Sequence, residues 1–265
     1  MAVVTRACIE KHSEFTYGVH PSFIEELLGL NVCRIGMQKG EVVDILKQLE
    51  RGAMGARRAL IAKLDLLRQA IGYGLTYRVV LVDGVRQLQF AVYKRNKLSN
   101  EGQLSMMLSL GVGGHVEHKD FEDHLLSDNG DLDNTGVMDL YETIDYSFLR
   151  EYVEEIKVLL GQIIISTQLI NSRRPVGFVH DTLPDKPGYV GNHHFGVVYV
   201  VEAPHDATFE MSEELNDAVC WAGVKDLEMH LKNGDQIDGP TYAPFEVWSK
   251  MIIENIKPLE ELLLA

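Results

Sequence analysis

The stretch from Gly136 to Glu155 reads GVMDLYETIDYSFLREYVEE and predicts an amphipathic helix with one acidic side. Apolar residues recur at every fourth position and would form a stripe to bury, at Ile144, Phe148, Tyr152 and Ile156. Glu151, Glu154 and Glu155 are spaced i, i+3 and i+4, so they share one helix face. Because neighbouring carboxylates repel each other, this face predicts a bound cation. Mg²⁺ takes oxygen ligands of this kind together with substrate phosphates.

The polar residues of this stretch follow the pattern G-x5-E-x7-R-E-U-x-E-E, in which U is a bulky apolar residue. The matching positions are Gly136, Glu142, Arg150, Glu151, Tyr152, Glu154 and Glu155. This pattern resembles the signature of the Nudix hydrolases, which cleave nucleoside diphosphates linked to another moiety. Residues 108–117 resemble the strand and glycine turn that precede the signature helix. Residues 176–181, 194–199 and 246–249 resemble a bacterial and phage branch described as predicted phosphoesterases.

The resemblance implies a fold, a metal and a set of site residues. The implied fold is an α/β/α sandwich with a mixed sheet, and strands before and after the helix favour the same α/β (α+β) class. Mg²⁺, with Mn²⁺ as an alternative, would be held by Glu151, Glu154 and Glu155. Arg150 would pair with a nearby carboxylate and hold the helix in place. Substrate contacts are expected from Gly113, Gly114, His115 and His194, and the family often forms homodimers.

Proton removal from the attacking water requires a base, and the sequence leaves its identity open. Glu151 is the candidate on the helix. The candidates in the following loop region are Glu202, Asp206 and Glu210.

Two departures from the family pattern affect these expectations. Lys157 and Val158 stand where the family has a glycine and an apolar residue, so the helix is expected to run on or to end differently. An acidic insertion at about residues 118–135 separates Gly113 and Gly114 from the helix. It leaves open whether Gly136 and Glu142 occupy true motif positions. These departures also motivate an alternative, a catalytically silent ligand-sensing or partner-binding module.

The segment 131–142 supports a rival metal site. Counted from Asp131, oxygen-bearing side chains stand at positions 1, 3, 5, 9 and 12 with glycine at position 6, as in a calcium-binding EF-hand loop. Such a loop needs an entering helix, and Asn129 and Gly130 would break one immediately before it. An acidic surface insertion is the simpler interpretation.

The composition argues against a protein that binds nucleic-acid duplexes and against a membrane protein. The chain has 265 residues and a formal net charge of −14, which argues against binding of nucleic-acid duplexes, since these are held by clustered Lys and Arg. A small diphosphate remains compatible because bound metal reverses the local field. Cys8, Cys33 and Cys220 are few and widely spaced, which suggests a reducing compartment. Without a signal-peptide core or an apolar run of membrane-spanning length, the sequence predicts a cytoplasmic protein without membrane contact.

Two regions are predicted, a mostly helical N-terminal extension at 1–74 and a Nudix-like domain at 75–265. The extension would contain a strand at 3–9 and helices at 21–28, 41–50 and 57–70, ending in a glycine hinge at 71–75. A hairpin is expected at 77–82 and 87–94. Further strands are predicted at 104–112, 176–180, 195–201 and 218–224, with helices at 140–158 and 244–264.

Overall fold

The computed structural model describes residues 15–57, 67–95, 106–117, 120, 139–182, 190–212, 219–233 and 243–265. Strand β4 (Arg68–Val82) lies in the middle of the main sheet and forms a hairpin with β5 (Val85–Lys94). The connecting residues Asp83 and Gly84 have φ values of 52° and 77°, as a tight primed turn requires. The predicted hairpin is confirmed.

Ten strands of the described residues form one mixed sheet. Its central path runs β13 (Val219–Gly223), β5, β4, β11 (His194–Glu202), β10 (Arg174–His180) and β2 (Val32–Ile35). Strands β4 and β11 are parallel, whereas the other pairs are antiparallel. The remaining strands of this sheet are β1 (Phe15–Val19), β3 (Ala53–Arg57), β6 (Leu108–Ser109) and β7 (Gly111–His115). A second sheet contains β8 (Ile156–Leu160), β9 (Ile163–Ile164) and β12 (Thr208–Met211).

Helices cover both sides of the main sheet. They are α1 (Pro21–Leu27), α2 (Lys39–Leu49), α3 (Leu140–Glu155), α4 (Ser166–Leu169), α5 (Val224–Asn233), α6 (Val247–Glu254) and α7 (Ile256–Leu264). We call the side under α3 the front face, where Phe148 packs over Gly72 and Gly74. The side under α6 is the back face, where Trp248 meets Tyr73 edge-on at 5.5 Å between ring centroids. Each face has its own apolar core, so the predicted α/β/α sandwich is confirmed.

The predicted stripe is buried: Ile144, Phe148 and Tyr152 on α3 are 0% exposed, and Ile156, just after the helix, is 2% exposed. Helix α3 ends at Glu155 rather than at 158, because Ile156 is already extended and opens β8. Lys157 and Val158 are therefore strand residues paired with β12, and the helix needs no closing glycine. The predicted closing helix is divided at Asn255 into α6 and α7.

The glycine hinge predicted at 71–75 is wrong, because these residues lie inside β4. A Cβ atom on Gly72 or Gly74 would collide with Phe148, so both glycines serve a close helix–sheet contact. The glycine turn expected at Gly113 and Gly114 is likewise part of a strand, β7, paired with β4.

The N-terminal region contributes to the same sheet and core. Helices α1 and α2 confirm two predicted helices, while β1, β2 and β3 were missed. The helix predicted at 57–70 begins in β3 and ends in β4, and its middle lies outside the described residues. The strand predicted at 3–9 and most of the 118–135 insertion also lie outside them. No helix in the described part of the chain is both long and apolar enough to cross a membrane.

Candidate active site

The three glutamates predicted to bind metal lie in the last turn of α3. The side chain of Glu151 is 15% exposed and that of Glu154 is 59% exposed. Within α3, the last turn holds no basic residue. The C-terminal end of a helix carries partial negative charge, so carboxylates there increase an unfavourable potential. Arg150 relieves part of it, since its Nη1 lies near Glu151 and 3.6 Å from Glu154 Oε2, and a bound cation would relieve more.

Gly114 determines where the Glu151 carboxylate sits. Gly114 is paired with Gly72 and lies on the front face under α3. A Cβ atom on Gly114 would collide with the Glu151 side chain. The absence of a side chain at Gly114 therefore lets Glu151 lie directly against β7.

Arg150 joins α3 to the end of β7. Its Nε and Nη2 donate to Asp120 Oδ1 at 2.8 Å and Oδ2 at 3.0 Å, a two-pronged contact. Nη2 also donates to the His115 carbonyl at 3.2 Å, and Nη1 donates to Glu151 Oε1 at 2.5 Å. The predicted pairing of Arg150 with a nearby carboxylate is confirmed. Arg150 fixes both the helix and the Glu151 carboxylate.

Burial raises the pKa of the Glu151 carboxyl group above its ordinary value. The Arg150 guanidinium opposes this shift, whereas the negative charges of Glu154 and Glu117 add to it. The carboxylate is thus held where a negative charge is costly. A bound cation or an incoming proton would stabilise it.

His115 and His194, which the sequence assigned separately to the site, lie in contact with each other. Their Nε2 atoms are 2.8 Å apart. On β4, His115 is paired with Ile71 and His194 is paired with Gln69. Side chains alternate along a strand, and Gly72 of β4 faces the front, so Ile71 and Gln69 face the back. Both histidines therefore project from the back face. They lie at the same end of the sheet as Glu151 but on its other side, and their contact with substrate stays a prediction.

His180, Asp181 and Trp248, considered in the sequence as cleft or core residues, are all buried. Burial and then the charge of Arg68 lower the pKa of His180 to about 4, so its ring is neutral at pH 7. Asp181 Oδ1 accepts a hydrogen bond from Trp248 Nε1 at 2.6 Å. Trp248 is a core residue on the back face, as expected.

Two of the other acidic candidates, Glu142 and Glu202, lie too far from Glu151 to act with it. Glu142 is nine residues earlier on α3, about 13 Å along the helix axis. Glu202 is paired with Tyr77, five residues along β4 from Gly72, which corresponds to about 17 Å. Asp206 follows Glu202 in the chain. Glu210 is paired with Lys157, and the nearby Ser212 N–H donates to the Glu155 carbonyl at 2.8 Å, so Glu210 lies close to the end of α3. Among the described residues, no group of three His, Cys, Asp or Glu side chains is already arranged as a metal site.

Only the last four residues of the proposed calcium loop, 139–142, lie among the described residues. Residues 131–138 lie outside the described residues. Asp139, at loop position 9, caps α3 by accepting a hydrogen bond from the Glu142 backbone N–H at 2.9 Å. Calcium binding there stays a prediction.

Sequence reasoning missed Asp120 and Gln69. Asp120 was treated as part of the acidic insertion, although a carboxylate seven residues after Gly113 was a natural partner for Arg150. Gln69 was assigned to a helix. Its register opposite His194 is visible only once β4 and β11 are known to pair.

Comparison with solved structures identifies the fold. The structure of Tm1382, described as a provisional Nudix hydrolase, has a TM-score of 0.55 and 17% identity, and the match covers 93% of this chain and 100% of that one. The chain has a Nudix-like fold. Weaker likenesses include the Nudix hydrolase from Alicyclobacillus acidocaldarius (TM-score 0.43, 14% identity; the match covers 66% of this chain and 87% of that one). Another is the T. brucei MERS1–RNA complex (TM-score 0.34, 15% identity, 78% and 63% coverage). No family model and no curated protein matches the sequence.

Within this fold, α3 is the helix that carries the three glutamates of the sequence pattern, and their role as a signature stays a prediction. The assignment to the bacterial and phage branch stays a prediction.

Proposed function

We propose that the protein is a Mg²⁺-dependent hydrolase that cleaves the diphosphate linkage of a nucleoside diphosphate derivative or a similar compound. The observation that carries this proposal is the acidic end of α3. There, a partly buried Glu151 with a raised pKa lies beside Glu154 in the last helical turn. The Nudix-like fold supports the same reaction class.

The donor set fits a hard divalent cation. Glu151, Glu154 and Glu155 offer carboxylate oxygens, which Mg²⁺ prefers, and Mn²⁺ is an alternative. A bound Mg²⁺ would neutralise the diphosphate charge and lower the pKa of a water molecule. Arg150 would keep Glu151 in place through its contacts with Asp120 and the His115 carbonyl.

Glu151 is the proposed base. In the metal-free protein burial raises its pKa, and a carboxylate with a raised pKa accepts a proton more readily from attacking water. Its position against Gly114 keeps it at the end of β7. Gly113, Gly114, His115 and His194 are retained as proposed substrate contacts at this end of the sheet.

The test is replacement of Glu154 and Glu155 together by Gln. We expect the double variant to stay folded and to lose Mg²⁺-dependent product release by about a hundredfold or more, since metal-based charge stabilisation is worth several kcal/mol. Release of nucleotide from a panel of nucleoside diphosphate compounds would be followed by chromatography. Glu228→Gln, an exposed change on α5, is the matched control. Undiminished hydrolysis by the double variant would disprove the mechanism.

The alternative is a ligand-sensing or partner-binding module, and the contact of Arg150 with Glu151 at 2.5 Å favours it in one respect. An acidic residue already paired with a guanidinium is less available to metal. Tight binding of a panel compound without turnover, in Mg²⁺ or Mn²⁺, would support this function. The homodimer and the cytoplasmic location stay predictions.

A further inference from the structure

The histidine pair on the back face has the geometry of two ligands that converge on one point. His115 Nε2 and His194 Nε2 are 2.8 Å apart, and the ring planes are inclined by 55°. Nitrogens that bind one metal ion at about 2.0–2.1 Å would be about 2.9 Å apart at a right angle and about 3.3 Å apart in a tetrahedron. The observed contact is a hydrogen bond between the two nitrogens, and a metal ion with ligands at a right angle would replace the shared proton with almost the same nitrogen separation.

A third donor lies on the same face beside this pair. Gln69 is the register partner of His194 across the β4–β11 ladder, so its side chain emerges on the same side. The residue is 3% exposed, and its Oε1 atom has no hydrogen-bond partner among the described residues. A buried amide oxygen without a partner lowers the stability of the fold, because its hydrogen bonds to water are lost and not replaced. A ligand at the histidine pair would offset this cost.

The chemistry of these donors selects the class of ion. Imidazole nitrogen suits Zn²⁺, Ni²⁺ and Cu²⁺, whereas Mg²⁺ requires oxygen ligands. Two neutral imidazoles and an amide leave the positive charge of a divalent ion uncompensated, and they leave coordination positions open. Such a site would accept water or an anionic ligand in the open positions.

The site is separate from the glutamates of α3. Gly114 lies on the front face under Glu151, whereas the next residue, His115, projects from the back face. The sheet therefore stands between the two donor sets. Asp181, held by Trp248 at 2.6 Å, lies on the back-face side and adds negative charge there.

We propose that His115, His194 and Gln69 form a binding site for a first-row transition-metal ion, with Zn²⁺ as the biological candidate. The site has open positions for water or an anion. It shares His115 and His194 with the proposed substrate contacts but uses none of the α3 glutamates, so its failure would leave the Mg²⁺ hydrolase proposal intact.

The first test uses Cu²⁺ as a spectroscopic probe of the metal-free, full-length protein. One equivalent of Cu²⁺ should give an electron paramagnetic resonance spectrum with hyperfine splitting from two equatorial nitrogens. His194→Gln should reduce the signal to one nitrogen, while His205→Gln, whose side chain is 77% exposed in the native chain, should leave it unchanged. A wild-type spectrum without two nitrogens would overturn the proposal, and so would an unchanged spectrum for His194→Gln.

The second test measures Zn²⁺ affinity by titration calorimetry. Replacement of either histidine by Gln should weaken binding by at least about tenfold, and Gln69→Met should weaken it to a smaller extent. The double variant Glu154→Gln/Glu155→Gln should bind Zn²⁺ at this site as the wild type does, and excess Mg²⁺ should not displace it. If Zn²⁺ binding is lost in the glutamate variant and kept in the histidine variants, the ion is bound at α3 and the proposal is wrong.

Discussion

Two adjacent glycines, Gly113 and Gly114, meet different neighbours although both belong to β7. A Cβ atom on Gly113 would lie 2.6 Å from the Gly72 carbonyl oxygen, a backbone atom that cannot easily move. On Gly114 it would meet the Glu151 side chain, which can rotate away. The same substitution should therefore damage stability at one position and the site at the next.

We predict that Gly114→Ala displaces the Glu151 carboxylate and lowers hydrolysis by about tenfold or more, with the melting temperature nearly unchanged. Gly113→Ala should instead lower the melting temperature by several degrees, because a backbone clash must be relieved. Thermal unfolding and turnover of the two variants, measured side by side, check this. Equal effects of the two changes on both quantities would contradict the geometry.

Glu151 makes stability depend on pH, and the sign follows from its raised pKa. In the unfolded chain, this carboxyl group loses its proton at a lower pH than in the folded chain. The free energy of unfolding is therefore highest below the pKa of the unfolded state, about 4.5, and falls as pH rises through the higher pKa of the folded state.

Glu151→Gln should remove this loss of folding stability at higher pH, since glutamine does not titrate. We predict that the variant is more stable than the wild type at pH 8 and that the difference disappears near pH 4. Melting temperatures across this range, with Glu228→Gln as a control on an exposed surface, provide the measurement. A variant that is less stable than the wild type at pH 8 would show that the ion pair with Arg150 outweighs burial.

At the scale of helices and strands, the sequence pattern correctly predicted the features that depend only on residues close together in the chain. The i, i+4 stripe of α3 and the Asp83–Gly84 turn were correct because side-chain spacing and turn chemistry act over a few residues. Gly72 and Gly74 were wrongly predicted to form a hinge. They are needed because Phe148, more than seventy residues later in the sequence, packs directly against them. The acidic end of α3 was predicted, whereas its partner Asp120 depends on how β7 meets the helix.

The contact between Arg150 and Asp120 links these two elements and makes a prediction about stability. The two side chains are 16% and 3% exposed, so the pair is largely shielded from water. Asp120→Asn removes one charge and should lower the free energy of unfolding by about 1.5–3 kcal/mol. Denaturant unfolding would measure it, with the 59% exposed Asp206 changed to Asn as the control. An effect no larger than that of the control would mean that the contact does not stabilise α3.

For the whole molecule, the sequence predicted the α/β/α arrangement of layers more accurately than the division between the N-terminal region and the rest of the chain. A division at residue 74 cuts β4, and the residues before it supply β2 to the edge of the sheet next to β10. They also supply part of the front-face core, namely Val19, Ile24, Val42, Leu46 and Leu49, each 0% exposed. Long-range pairing of this kind leaves little trace in local sequence pattern, which is why the region was read as an extension.

We therefore predict that a fragment of residues 75–265 does not fold cooperatively. The five lost core side chains contribute about 1.5–3 kcal/mol each, and their sum is comparable with the whole stability of a typical domain. A second fragment, 67–265, keeps β4 whole and separates loss of the core from damage to the strand; it should also fail, because the same core is missing. Circular dichroism and gel filtration of both fragments beside the full chain provide the measurement. A sharp thermal transition in a monomeric 75–265 fragment would show instead that the N-terminal region is a dispensable extension.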